Sequence, residues 1–214
     1  MIKPRAAAIS RPRFRLLLCS LAVTLTSCAD HQSGPPNWHT VIARKDIDKM
    51  REWRSAWMAA LNKARADGHA DAIAAEGALL DPDAGLDSPA PPPGDYSCRV
   101  VAFGEGGGTV GGFTAMPAGK CRINGLGNSV LGFARIDGMQ RPIGRIYPGT
   151  GVRLTFLGTL TVGDESRPFD YGVDEQRNLV GVVERIAAGR WRLALPHPPF
   201  GGAFEVIELL PAGG

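Results

Sequence analysis

The chain has 214 residues, 44% of them hydrophobic, enough for one ordinary domain plus an appendage. Its 24 basic and 21 acidic residues give a formal net charge of +3, but Lys3, Arg5, Arg11, Arg13 and Arg15 crowd the start with no acid among them. Setting those five aside leaves 19 basic against 21 acidic residues, a net charge of about −2, so composition gives no ground for a nucleic-acid or anionic-surface partner.

The basic head is followed by an apolar run, Leu16 to Leu25, and then by Thr26-Ser27-Cys28. A charged start, a short apolar stretch and small residues form the three-part pattern of an export signal. The run is too short for a membrane-spanning helix, which needs about 20 residues. Leu25-Thr26-Ser27-Cys28 resembles the bacterial lipobox, which implies cleavage before Cys28 and acylation of its thiol. Several acyl chains hold a protein on a membrane where one would be reversible. Ala29, in place of an aspartate, favours the outer membrane over the inner one. The rival reading is an ordinary secretory signal cut at another small residue, with Cys28 incidental. The expected address is therefore the cell envelope, anchored through Cys28 and facing the periplasm.

Residues 1–27 are thus read as the signal and 28–39 as a tether containing Ser33, Gly34, Pro35 and Pro36. From 40 to 80 the spacing predicts a helical hairpin. Ile47, Met50, Trp53, Trp57, Leu61 and Ala64 recur at steps of three or four along one stripe. Asp46 is the expected N-cap and Gly68 the expected stop, with a second helix near 70–80. The Trp53/Trp57 pair is read as a face that docks on the neighbouring domain rather than as a ligand stack. Residues 81–94, with five prolines, read as a stiff linker.

From 95 to 214 short apolar segments alternate with glycine and proline. Strands are predicted near 96–103, 120–124, 130–136, 140–147, 152–160, 179–187, 190–195 and 204–210. Val152, Leu154 and Phe156 alternate with Arg153 and Thr155, the period of a half-buried antiparallel strand. Asp137-Gly138 suits a type I′ turn, and Ala187-Ala188-Gly189 a glycine turn. The expected fold is mainly β with a small α part: a helical hairpin, then an antiparallel up-and-down, eight-stranded β-barrel, with a β-sandwich as the alternative.

Cys98 and Cys121 remain once Cys19 leaves with the signal and Cys28 is acylated. In an oxidising compartment they are expected to form a disulfide worth about 3 kcal/mol. A redox or metal-binding pair is the rival, but the spacing is unlike a redox motif and no histidine lies near either cysteine in sequence.

Little else carries chemistry. Gly106-Gly107-Gly108-Thr109-Val110-Gly111 fits G-x-G-x-x-G, yet no helix is predicted to open there as a dinucleotide site requires. His31, His39, His69 and His197 lack zinc spacing. The acidic stretch 161–178 has no EF-hand order. Glu184 and Glu208 are candidates to face into a barrel as acid and base, but pairing with arginines such as Arg185 or Arg192 is the plainer expectation. No catalytic, cofactor-binding or metal-binding residue is assigned, and no cofactor is expected.

Several segments resemble a bacterial family, domain of unknown function 4893, of sphingomonad-type envelope lipoproteins. They are Pro91-Pro92-Pro93-Gly94-Asp95-Tyr96-Ser97-Cys98-Arg99-Val100, Cys121-Arg122-Ile123, the run from Gln140 to Pro148, Phe156-Leu157-Gly158, Val183-Glu184-Arg185-Ile186, Arg190-Trp191-Arg192-Leu193 and Val206-Ile207-Glu208-Leu209. The resemblance implies a class but no activity. The expected function is a non-catalytic envelope lipoprotein that binds a protein, peptide or small ligand. A hydrolase with a dispersed site and a structural role in envelope integrity are the alternatives.

Overall fold

The structure is a computed structural model that describes residues 36–104 and 112–213. The leader 1–27, Cys28, His31 and the glycine motif 106–111 lie outside the described residues. Nine strands follow one another: β1 (Gly94–Phe103), β2 (Phe113–Ala115), β3 (Gly119–Gly127), β4 (Val130–Arg135), β5 (Gln140–Thr150), β6 (Arg153–Val162), β7 (Asn178–Ala187), β8 (Arg190–Pro196) and β9 (Phe204–Pro211). From β3 onward each strand pairs antiparallel with the next, and β9 returns to β1 from Tyr96 opposite Pro211 to Phe103 opposite Phe204. The sheet is therefore a closed eight-stranded antiparallel barrel, not a sandwich.

The ninth strand, β2, is an addition that the alternation did not reveal. One edge of β1 is divided: Gly94–Cys98 pairs with β3, and Val101–Phe103 pairs with β2. Between them the Met116 N–H donates to the Val100 carbonyl at 2.8 Å, so the edge stays satisfied across the break. Pro117 has no N–H to give and interrupts the strand there.

Alternate residues point into the barrel, among them Tyr96, Cys98, Phe133, Phe156, Trp191, Leu193, Ile207 and Leu209. Gly144 and Gly158 face each other across β5 and β6, and a Cβ at Gly158 would overlap the Phe156 ring and the Ile143 carbonyl. The missing side chains make the room that the ring fills. Cys98 and Cys121 form the expected disulfide, with Cα atoms 5.8 Å apart, inside this core.

The two ends of the barrel differ. At the end holding Gly94 and Pro211, residues 81–94 are not a free spacer. Leu86 donates to the Arg185 carbonyl at 2.8 Å, Arg185 donates to the Asp87 carbonyl, Pro89 and Pro91 are buried, and the Tyr96 hydroxyl donates to the Pro92 carbonyl at 2.6 Å. Prolines give up no donors here, so the chain lies against the barrel end as a strap. At the other end stand the β4–β5 turn, Gly104 and Gly112, and the connections that follow β6 and β8.

The helical part packs on the outer wall. Helix α1 (Ile47–Ala64) continues through a wide turn at 65–69 into the short α2 (Ala70–Ala75). Gly68, at φ +97°, bends the chain without ending it, so the second, shorter helix expected near 70–80 is present as a short continuation of one long helix. Trp57, Leu61, Ile73, Leu79 and Leu80 bury against Val101, Val182, Ala194, Phe204 and Val206. Trp57 stacks on Phe204 with centroids 5.1 Å apart, the docking role read from the sequence. Asp46 makes no cap hydrogen bond. Its fully buried carboxylate instead accepts from the Tyr171 hydroxyl at 2.8 Å and the Asn178 amide at 2.7 Å, and lies 3.1 Å from the Lys49 ammonium. Packed structure also reaches back to Trp38, which rests against the cluster of Tyr147, Leu157 and Val180.

A row of charge runs under this cap. The register sets Glu184, Arg192, Glu208 and Arg99 side by side across β7, β8, β9 and β1. Arg192 and Glu184 have no exposed surface and meet at 2.6 Å. Arg192 also donates to the carbonyls of Ala78, Leu79 and Asp81 and lies 4.5 Å over the Trp57 ring. The Ala78 and Leu79 carbonyls end the helical segment, and the Asp81 carbonyl, which also accepts from the Ala84 N–H, follows it, so one guanidinium closes the segment and fastens it to the barrel. Replacing Arg192 by Met should lower stability by about 3 kcal/mol in urea unfolding, because Glu184 is left buried with Arg153 alone. The double variant R192M/E184L should be less destabilised than R192M.

Candidate functional site

The sequence offered Glu184 and Glu208 as inward acids. Both face outward, and both are engaged. Glu184 accepts from Arg192 and from Arg153, the latter at 2.7 Å. Glu208 accepts from Arg99 at 3.1 Å and from Arg190 at 2.6 Å, and Arg99 in turn holds Glu76 from the cap. The arginine pairing anticipated for Glu184 is therefore observed with Arg192, while Arg185 serves the strap. Burial pushes the Arg192 guanidinium down from its ordinary value, and the Glu184 carboxylate opposes that shift.

The histidines do not converge. His39 stacks on Trp38, His69 lies against Phe113, and His197 sits just past β8 at φ +47°. Among the described residues no group of three or more His, Cys, Asp or Glu side chains is placed to hold a metal. Carboxylates of the 161–178 stretch bind within the fold: Glu165 and Asp174 pair with Arg177, and Glu175 with Lys45.

The residue that sequence reading passed over is Glu205. It alternates in phase with Ile207 and Leu209, which fill the barrel, and its neighbours in register are Ala102 on β1 and Leu195 on β8, both core residues. Its side chain therefore points inward, at the end away from the strap. There it lines an open cavity of about 380 Å³ walled by Val100, Met116, Pro142 and Leu160 and bordered by Met139 of the β4–β5 turn and Gln140 at the start of β5. This volume falls within the range of roughly 300–1,000 Å³ common for ligand pockets.

Glu205 is 9% exposed, and among the described residues no hydrogen bond or ion pair holds its carboxyl. Burial raises its pKa from 4.5 to about 7, and the more distant Arg135 guanidinium only partly offsets that. Arg135 also points inward, in phase with Leu131 and Phe133 on β4, and lines the same cavity. Its nearest carboxylate is Asp137, with Nε 3.6 Å from Oδ1. Asp137 has a second task, accepting the Lys120 N–H at 3.0 Å through its carboxylate. That bond joins the β4–β5 turn to the start of β3. Only Gly138 of the Asp137-Gly138 pair takes a positive φ, so the turn is not the type I′ that the dipeptide suggested. Arg141 ties the same turn to the β6–β7 connection through the carbonyls of Gly138, Gly163 and Glu165. The rim of the cavity is thus braced from both sides.

Chemically, the cavity combines apolar walls, one acid that exchanges its proton near neutrality and one cation held at a distance from it. The profile of the family described as Domain of unknown function (DUF4893) matches residues 38–209, a span that includes the cap, the strap, the barrel and this mouth. No curated protein and no solved structure matches the chain.

The Glu205 carboxyl makes stability fall as pH rises. Its folded pKa of about 7 exceeds the unfolded 4.5, so the native state holds the extra proton between those values. Below that window the substitution Glu205→Gln should change stability little. Above it E205Q should be more stable than the parent by on the order of 3 kcal/mol. Urea unfolding of both proteins across the window checks this. A stability difference that does not vary with pH would show that the carboxyl is not held as described.

Proposed function

We propose that this chain, which belongs to the family described as Domain of unknown function (DUF4893), is a bacterial envelope lipoprotein that binds a small ligand in the open mouth of its barrel. The observation that carries the reading is Glu205, 9% exposed, whose carboxyl faces an accessible cavity and has no hydrogen bond or ion pair among the described residues. Holding a carboxyl between apolar walls costs free energy through lost hydration, and a fold retains such a group where something else uses it. Convergent polar groups in an apolar cleft are the usual make-up of a ligand site.

The anchor rests on Leu25-Thr26-Ser27-Cys28 behind the basic, apolar leader. Acylated Cys28 would hold the barrel at the membrane surface, facing the periplasm, and Ala29 favours the outer membrane. A second reading, an enzyme of hydrolase type, draws support from the same Glu205, since an acid with a pKa near 7 suits general acid–base work.

Two measurements test the proposal. In cell fractionation the parent protein should follow the membranes, and the Cys28→Ala variant should appear in the soluble periplasmic fraction. Persistence of that variant in membranes would remove the lipid anchor from the reading. In a thermal-shift screen of small apolar compounds with one polar group, hits on the parent should be lost in Met116→Trp, which narrows the mouth. Hits that survive that substitution would place binding elsewhere, and conversion of a hit to product would favour the enzyme.

A further inference from the structure

Four acids in the described chain are buried: Asp46, Glu184, Glu205 and Glu208. Three of them have a cation. Asp46 has Lys49, Glu184 has Arg153 and Arg192, and Glu208 has Arg99 and Arg190. Glu205 has none within ion-pair distance, and it is the one whose carboxyl opens on a cavity instead of on packed protein. We infer that the ligand of this mouth supplies the missing cation: a small molecule with one ammonium group on an apolar body, its ammonium paired with Glu205. This inference rests on the reading of the mouth as a ligand site.

The surroundings favour that chemistry. The groups flanking Glu205 are Ala102 and Leu195 on the adjacent strands, and the rest of the cavity presents Val100, Met116, Pro142 and Leu160. An alkyl or aryl body replaces water against these walls, and the ion pair forms where little water competes. Methionines such as Met116 and Met139 adapt to the outline of a guest. The polar and charged groups that face the cavity besides Glu205 are Arg135 and Gln140. Arg135 would repel a second cation, but Asp137 lies beside it and balances its charge at the rim. Gln140 offers a neutral hydrogen-bonding group.

Binding would move a proton. The ammonium pairs with ionised Glu205, so the carboxyl releases its proton to solvent on association when the pH lies below its raised pKa. Affinity for an amine should therefore climb as pH rises through neutrality. A ligand that accepts the proton of neutral Glu205, such as a carboxylate, would show the opposite trend.

The test uses the purified full-length protein, the variants E205Q and M116W, and three probes of equal length: n-hexylammonium, 1-hexanol and hexanoate. Isothermal titration calorimetry at about pH 6 and about pH 8 reads the affinities. Hexylammonium should bind about tenfold more tightly at the higher pH, since the ionised fraction of a group with a pKa near 7 changes about tenfold between them. At the higher pH it should exceed hexanol. E205Q should keep hexanol binding while losing both the preference for the amine and the pH dependence. Preference for hexanoate or hexanol, or amine affinity that ignores pH, overturns the ligand class and leaves the mouth as a site, provided M116W removes binding. Failure of all three probes, or binding untouched by M116W, overturns the site as well.

Discussion

The contact on which the arrangement of this molecule depends is the buried Arg192–Glu184 pair between the barrel and its helical cap. Neither side chain reaches solvent, and the same guanidinium serves a carboxylate, three backbone carbonyls and an indole face. A hydrophobic contact would hold the cap without fixing where it sits. The planar fork of an arginine admits few positions, so the cap is registered as well as attached. Arg99 repeats the device at the far end of the row by joining Glu76 of the cap to Glu208 of β9. Asp46 does so for the start of α1, through Tyr171 and Asn178.

These devices divide the labour around the barrel. One wall is covered by the cap and one end is crossed by the strap, and the buried acids Asp46, Glu184 and Glu208 are each paired with a cation of the protein. The remaining end is treated differently. Its turns are braced by Asp137 and Arg141, yet the two charged side chains that look inward there, Glu205 and Arg135, are not joined to each other. A fold that pairs buried acids elsewhere leaves this one to its surroundings. That contrast, rather than the size of the cavity, singles out the mouth.

Much of the architecture was legible because the β segments follow a two-residue period that one packed face enforces. Val152 to Phe156 and Trp191 to Leu195 show it plainly, and the eight long strands fall close to where that rhythm places them. The three-residue β2 was hidden because it is too short to show a period and is cut by Pro117. The strap was misread because prolines speak for extension but not for what the extended chain lies against. Asp46 looked like a helix cap because capping is local, whereas its actual partners, Tyr171 and Asn178, are distant in sequence. Glu205 could have been found. The rhythm that sends Ile207 and Leu209 inward sends Glu205 with them and turns Glu208 out, so the acids weighed from the sequence were on the wrong face. An acid in the apolar phase of a strand is the signal, and it is visible without coordinates.

The closure of the barrel also sets an order of assembly. Val100 and Cys98 lie against Ile207 and Leu209, so the first long strand must wait for the last before one of its edges is covered. Contacts between such distant stretches slow folding, because a large loop has to be gathered before they reward it. Cys98 and Cys121, by contrast, belong to neighbouring strands and can be bonded while the rest of the chain is still arriving. Until then the bare flank of the first strand is open to any other extended segment, including the same stretch of a second molecule. A chain built this way is most exposed to error during its synthesis and least exposed once complete.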